Sequence, residues 1–283
     1  MKKMSWLQYF IRLILFNIFF ILSACTHAGA SEENSRELTV GIAPYLPAAK
    51  LIAQHAPLAD YLSKGLAESV VLLDSENYKS FQEYSQKGLY DILITPIHWG
   101  RAAESSNLYQ RAVKTRQSVF ASLVVRKDST IYNASQLQEL HLALPPNHDV
   151  VHYLALQTLR DYRVEQGRNL RVEIIEPYSK ALNQVLQGNV EAAAIAEQNI
   201  EKYLDNPQGK FRIIAASMPM PSFVVMLNSR LGYEKINKIR KLLLSFSQTE
   251  VGKTYFKHSG WQAFLPLDND TFTALDADLL RNF

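Results

Sequence analysis

Cysteine is nearly missing from these 283 residues: Cys25 stands alone, so no disulfide can staple the fold. Motifs of common catalytic sites are missing too. The chain has no GxSxG elbow, no Walker A loop and no GxGxxG turn, and its one thiol lies in the leader region, so no enzyme class announces itself. Surplus charge is also absent. The formal net charge of +3 comes from Lys2, Lys3 and Arg12 in a leader without acidic residues, and beyond it 27 basic residues face 27 acidic ones. A neutral body without a basic run excludes the usual electrostatic basis for nucleic-acid binding. The longest apolar run, Leu13 to Leu22, is too short and ends too abruptly for an ordinary membrane span. Internal repeats are not found, which with the mixed pattern below speaks against an adhesion or lectin body.

The pattern that is present begins with that leader. Lys2 and Lys3 precede the apolar run, which meets Leu22-Ser23-Ala24-Cys25. This resembles a bacterial lipobox, in which the cysteine is lipidated and becomes the mature N-terminus. Residues 1–24 then read as a lipoprotein signal peptide and 25–35 as a flexible tether rich in Ser, Glu, Asn and Ala. The expected location is the periplasmic or extracellular face, anchored through Cys25.

From Leu38 the chain alternates apolar strands with amphipathic helices. Leu38 to Ile42 is a buried strand whose carboxyl end carries Pro44 and Tyr45, and Ala48 to Leu66 is a helix that Pro57 should kink or divide. Val70–Leu73, Asn77–Gln86 and Asp91–Ile94 complete a β-α-β-α-β run, which predicts a mainly parallel sheet covered on both faces. Ser118 to Arg126 reads as one long strand. A second alternation follows through His141–Leu144, Val150–Arg163, Leu170–Ile175, Lys180–Gln187 and Ala192–Ile195. Phe211–Ala215 and Phe223–Leu227 add strands, Tyr233–Ser247 is a helix, and the rest is expected to be mostly helical. Two runs of similar size suggest two lobes.

Several stretches, in order along nearly all of the body, resemble the phosphonate/phosphite/phosphate-type periplasmic binding proteins that serve ABC importers. They are Val40 to Tyr45 (VGIAPY), Ala56 to Leu62 (APLADYL), Val124 to Ser129 (VVRKDS), Ala181 to Ile195 (ALNQVLQGNVEAAAI), and Ser247 to Gly252 (SQTEVG) before Trp261-Gln262-Ala263-Phe264. The resemblance implies an α/β, type II periplasmic-binding-protein fold: two α/β lobes joined by two crossover strands, with a ligand cleft between them that closes by hinge motion. Lobe 1 would be 36–121 and 222–283, and lobe 2 would be 122–221, with crossovers near Ser122–Arg126 and Pro221–Val225. It also implies a monomer without cofactor or catalysis, a small polar phosphonate- or phosphate-like ligand, and an ABC permease as partner. A ligand-sensing lipoprotein that signals to a membrane receptor needs the same cleft and stays open as an alternative.

In such a fold, ligand contacts come from strand ends and helix N-termini at the cleft. The candidates are Tyr45, Thr95, His98, Trp99, Asn147, His148, Asp149, Tyr178, Ser179 and Glu197, with core or rim packing as the competing role for Tyr45 and Trp99 and a solvated helix position for Glu197. The chain departs from the family at Pro145 to Asp149, where a Ser/Thr-rich run would hold an oxyanion. Asp149 is placed to cap the next helix, and its charge would compete with an anionic ligand for the same amides. The family's Ser-Tyr pair after the third strand is replaced by His98-Trp99, and its His before the Ala181 helix by Tyr178. A third reading is zinc held by His98, His148 and His152, against which there is no HExxH pattern. His55, His141 and His258 show no evident partner in the sequence.

Overall fold

The computed structural model describes residues 37–196 and 209–275; the leader, the lipobox, the tether and Glu197 lie outside the described residues. The described residues hold two mixed sheets and a short ribbon. The first sheet contains β1 (Leu38–Ile42), β2 (Val70–Leu73), β3 (Ile92–Pro96), β4 (Tyr109–Thr115), β12 (Phe223–Asn228) and β13 (Phe264–Pro266), in the order β13-β4-β12-β3-β1-β2. The second contains β6 (Ala121–Arg126), β7 (His141–Leu144), β8 (Arg171–Ile174), β9 (Ala192–Ala196) and β10 (Phe211–Ala216), in the order β10-β6-β9-β7-β8. No described helix is long and apolar enough to cross a membrane.

Each sheet repeats one plan. Three parallel strands, β2-β1-β3 and β8-β7-β9, are extended on one side by antiparallel strands. The expectation of mainly parallel sheets therefore holds only for the β-α-β-α-β cores. Late strands β10, β12 and β13 return antiparallel, and β13 falls where helix was expected.

The helices follow their apolar stripes. Helix α1 (Ala48–Leu66) buries Leu51, His55, Leu58, Leu62 and Leu66, and it runs unbroken through Pro57. The carbonyl that Pro57 cannot satisfy belongs to Ala53, which is exposed, so water can take the place of the missing donor. Each buried leucine on that stripe contributes about 1.5–3 kcal/mol, enough to offset the one hydrogen bond lost at Pro57. Helix α2 (Tyr78–Gln86) opens with a capping box, in which the Asn77 side chain accepts from Ser80 N at 3.0 Å and Ser80 Oγ accepts from Asn77 N at 3.2 Å. Tyr78 is thereby fixed at the first helical position. The other described helices are α3 (Ile97–Ser105), α4 (Val150–Asp161), α5 (Tyr178–Gln187), α6 (Gly232–Phe246), α7 (Glu250–Ser259) and α8 (Asn269–Thr273).

Two glycines in the resembling stretches have steric causes. A Cβ on Gly41 would lie 2.4 Å from the Tyr90 ring, and one on Gly252 would lie 1.8 Å from the Phe246 carbonyl oxygen. The second approach makes the tight α6–α7 corner, where Thr249 Oγ1 accepts from Gly252 N and donates to Phe246 O.

The chain leaves the first sheet after Thr115 and enters the second at Ala121. It returns between Ala216 and Phe223. The stretch expected as one strand from Ser118 to Arg126 is broken into β5 (Ser118–Val119) and β6, and β5 pairs antiparallel with β11 (Met220–Pro221). The first passage thus lies a few residues before Ser122–Arg126, because those residues already pair within the second sheet.

Candidate functional site

Among the described residues, all six parallel strands end toward one cavity of about 440 Å³. Tyr45 follows β1, Tyr78 follows β2 at the start of α2, and Pro96 ends β3. His148, Asp149 and Val150 follow β7, Glu176 follows β8, and Ala196 ends β9. The passing segments add Gln117, Val119, Ser222 and Phe223, and the chain after α7 adds Trp261. The carboxyl ends of strands gather here because successive loops diverge and expose helix N-termini.

The wall supplied by the first sheet is aromatic. Tyr45 lies 5.0 Å from Phe223 and 5.9 Å from Trp261, and Phe223 stacks on Trp261 at 4.9 Å (ring centroids). Behind these rings sits a buried hydrogen-bond chain. Gln54 Nε2 donates to the Tyr45 hydroxyl at 2.7 Å, that hydroxyl bonds His55 Nε2 at 2.8 Å, and His55 Nδ1 bonds the Tyr255 hydroxyl at 2.9 Å. His55 is 0% exposed, and burial pushes its pKa down to about 4, so at neutral pH it is an uncharged ring with both nitrogens occupied. Burial likewise raises the Tyr45 and Tyr255 hydroxyls well above the usual phenol value. His55 is therefore not the unpartnered residue that its sequence surroundings suggested. Its partners are 10 and 200 residues away. His141 also has one, Arg171 Nη1 at 3.2 Å from its Nε2.

The wall supplied by the second sheet is charged. Asp149 caps α4, its Oδ1 accepting from Val151 N at 2.9 Å, and its Oδ2 accepts from the Tyr178 hydroxyl. Burial raises its pKa, and these donors offset part of that rise. His148 stacks on Tyr78 at 3.8 Å and 10°, joining the two walls, and burial lowers its pKa. Tyr78 is pushed up to about 12 by burial first, then by Asp149 and Glu176.

Of the residues expected at the site, Tyr45, His148 and Asp149 line this cavity, and Tyr178 reaches it through Asp149. Trp99 lies one layer behind, packed against Tyr78 at 5.7 Å and Phe81 at 5.9 Å. His98, 0% exposed and lowered to about 3 by burial, points Nε2 at the Asn147 carbonyl (3.3 Å) and stacks near Tyr153. Thr95 is buried inside β3, opposite Val224, and its hydroxyl has no partner among the described residues. Asn147 is exposed and lines a different cavity, with His152. Ser179 is half-buried in the first turn of α5 and lines neither cavity. The zinc reading fails on geometry. His98 and His152 direct ring nitrogens to the backbone carbonyls of Asn147 and Pro145, and the described residues contain no group of three or more His, Cys, Asp or Glu able to hold a metal.

Sequence reasoning missed Tyr78, Glu176, Phe223 and Trp261. A usable signal existed for one of them: Asn77 and Ser80 make a capping box, which places Tyr78 at a helix start, where family contacts were expected.

Comparison with known proteins agrees with this architecture. The chain is similar to the Xanthomonas citri protein XAC2383 bound to chloride (TM-score 0.73, 19% identity, 87% of this chain and 99% of that one). It is similar to PhnD1 from Prochlorococcus marinus in complex with methylphosphonate (0.65, 15%, 88% and 98%). It also resembles the Pseudomonas aeruginosa binding-protein component PA3383 of an ABC phosphonate transporter (0.58, 15%, 84% and 83%). At such identities these likenesses establish the type II fold. No protein of curated function matches the sequence. Residues 40–272, most of the chain, match the family described as periplasmic substrate-binding proteins of phosphonate ABC transporters. The chain therefore belongs to the phosphonate-type family of periplasmic substrate-binding proteins, non-enzymatic solute-binding components of ABC transporters.

Proposed function

We propose that this protein is a lipid-anchored extracytoplasmic receptor that captures one small polar solute between two lobes and hands it to an ABC permease. One lobe is 36–121 with 222–283, the other 122–221, and the paired passing segments around β5 and β11 are the hinge. The observation that carries this reading is the convergence of all six parallel strand ends on one cavity whose walls come from both sheets and meet through the Tyr78–His148 stack. Closure over a ligand there would sequester it from water. The anchor rests on Cys25 at the end of Leu22-Ser23-Ala24.

Two measurements test it. Cys25→Ser should move the protein from the membrane to the soluble fraction, and unchanged membrane retention removes the anchor from the proposal. In a thermal-shift screen of small solutes, a bound ligand at a hundred times its Kd should stabilise the fold by about 2.7 kcal/mol. A cooperative unfolding transition that no solute moves would sink the capture role.

A further inference from the structure

Resting on the solute-capture reading above, we infer that this cleft selects an organic cation with an alkylated ammonium group rather than an oxyanion. Charge is the first argument. Asp149 and Glu176 both line the cavity, and neither lysine nor arginine does among the described residues. An oxyanion would meet two carboxylates and no counter-charge, and like charges a few ångströms apart disfavour one another. His148 does not supply the missing positive charge, because burial favours its neutral form.

Donors are the second argument. A helix N-terminus binds an anion through free backbone amides, yet at α4 the Val151 amide is already taken by Asp149 Oδ1 at 2.9 Å. The Tyr178 hydroxyl gives its proton to the same carboxylate. At α4, then, the Val151 amide and the Tyr178 hydroxyl that could meet an anion already hold Asp149; the uncapped amides after Pro96 and Pro177 carry no side-chain charge to help them.

Walls are the third. With its hydroxyl held by Gln54 and His55, Tyr45 offers its ring to the cavity, next to Phe223, and Tyr78 adds a third ring. Aromatic faces carry negative quadrupole charge and attract weakly hydrated cations. A bare metal ion would find too few oxygens, since hard cations demand six or more, whereas an alkylammonium needs rings and one or two carboxylates. A volume near 440 Å³ falls in the range of small-molecule sites.

The test is isothermal titration of the full chain in detergent with choline, tetramethylammonium and methylphosphonate. Choline or tetramethylammonium should bind at least roughly ten-fold tighter than methylphosphonate, and Glu176→Gln and Asp149→Asn should each weaken the cation by about ten-fold. Glu176 is exposed and Asn caps helices as well as Asp does, so both variants should fold. Tighter methylphosphonate binding overturns the cation assignment and leaves solute capture standing. Cation affinity equal in wild type and both variants also overturns it, as does absence of cation binding by a cooperatively folded protein. Only the further failure of every solute class would bring down the capture reading.

Discussion

The two walls of the cavity start from the same β-α topology and end with opposite characters. After β1 the chain carries Pro44 and Tyr45 into α1, whose N-cap, Pro47, makes no side-chain hydrogen bond. After β7 it carries His148 and Asp149 into α4, whose N-cap carboxylate is directed at the helix amides. The first wall spends its polar atoms inward, on His55 and Tyr255, and leaves rings at the cavity. The second keeps a carboxylate at the cavity edge. In a repeated architecture, shape comes from the strand ends, while the sign of charge at each end depends on one or two loop residues.

The sharpest way to break this comparison is His55→Ala. It removes a fully buried ring, orphans the Tyr255 hydroxyl and leaves the Tyr45 hydroxyl with Gln54 alone, so a loss of about 3–5 kcal/mol in urea unfolding is expected. A loss below about 1 kcal/mol would show that the hydroxyls find other partners and that the wall does not depend on the chain behind it.

Next in size is a pH effect on the same wall. His55 takes its proton near 6.5 when unfolded and only near 4 when folded. Above 6.5 both states are neutral and the stability is whole; as pH falls toward 4 the unfolded chain binds the proton that the folded one refuses. The expected loss approaches about 3 kcal/mol for this residue, and buried His98, lowered to about 3, adds to it in the same direction. Urea midpoints at pH 7.5 and 4.5 measure the effect. His55→Phe should lessen the slope, and an unchanged slope would mean that His55 is charged in the fold.

How much of this was legible beforehand differs between the walls for physical reasons. Strand and helix order follows from local periodicity, so Leu38–Ile42 and Ala48–Leu66 were readable with their ends, and Asp149 as a cap was readable from its position before Val150. The resembling stretches carried the fold across most of the chain, as family membership over residues 40–272 bears out. The role of His55 was not legible, because on an amphipathic stripe a histidine looks like any buried residue until Tyr255, 200 positions later, folds onto it. Phe223 and Trp261 escaped notice for the same cause. Each opens or precedes a strand whose place in the sheet is set by antiparallel returns that local pattern does not encode.

On the charged wall the cap and the charge can be separated. Asp149→Ala removes both, and the lost cap should cost about 1 kcal/mol in urea unfolding. Asp149→Asn keeps a capping oxygen and should lie within about 0.5 kcal/mol of wild type. If both variants are equally destabilised, the carboxylate's charge rather than its geometry holds α4.

An effect no larger than the lost cap is expected from Tyr178→Phe, which deletes only the hydroxyl that donates to Asp149 Oδ2. Tyr178 is half-buried and Asp149 keeps its bond from Val151, so the loss of stability should be about 1 kcal/mol. The bond favours the ionised carboxylate, and without it the Asp149 pKa, already raised by burial, must rise further. That consequence is measurable even if stability barely moves. NMR titration of the Asp149 carboxyl carbon should show protonation at higher pH in Tyr178→Phe than in wild type. Coincident curves would mean that Tyr178 packs against the charged wall without tuning it, and that burial alone sets the difference between this wall and the aromatic one.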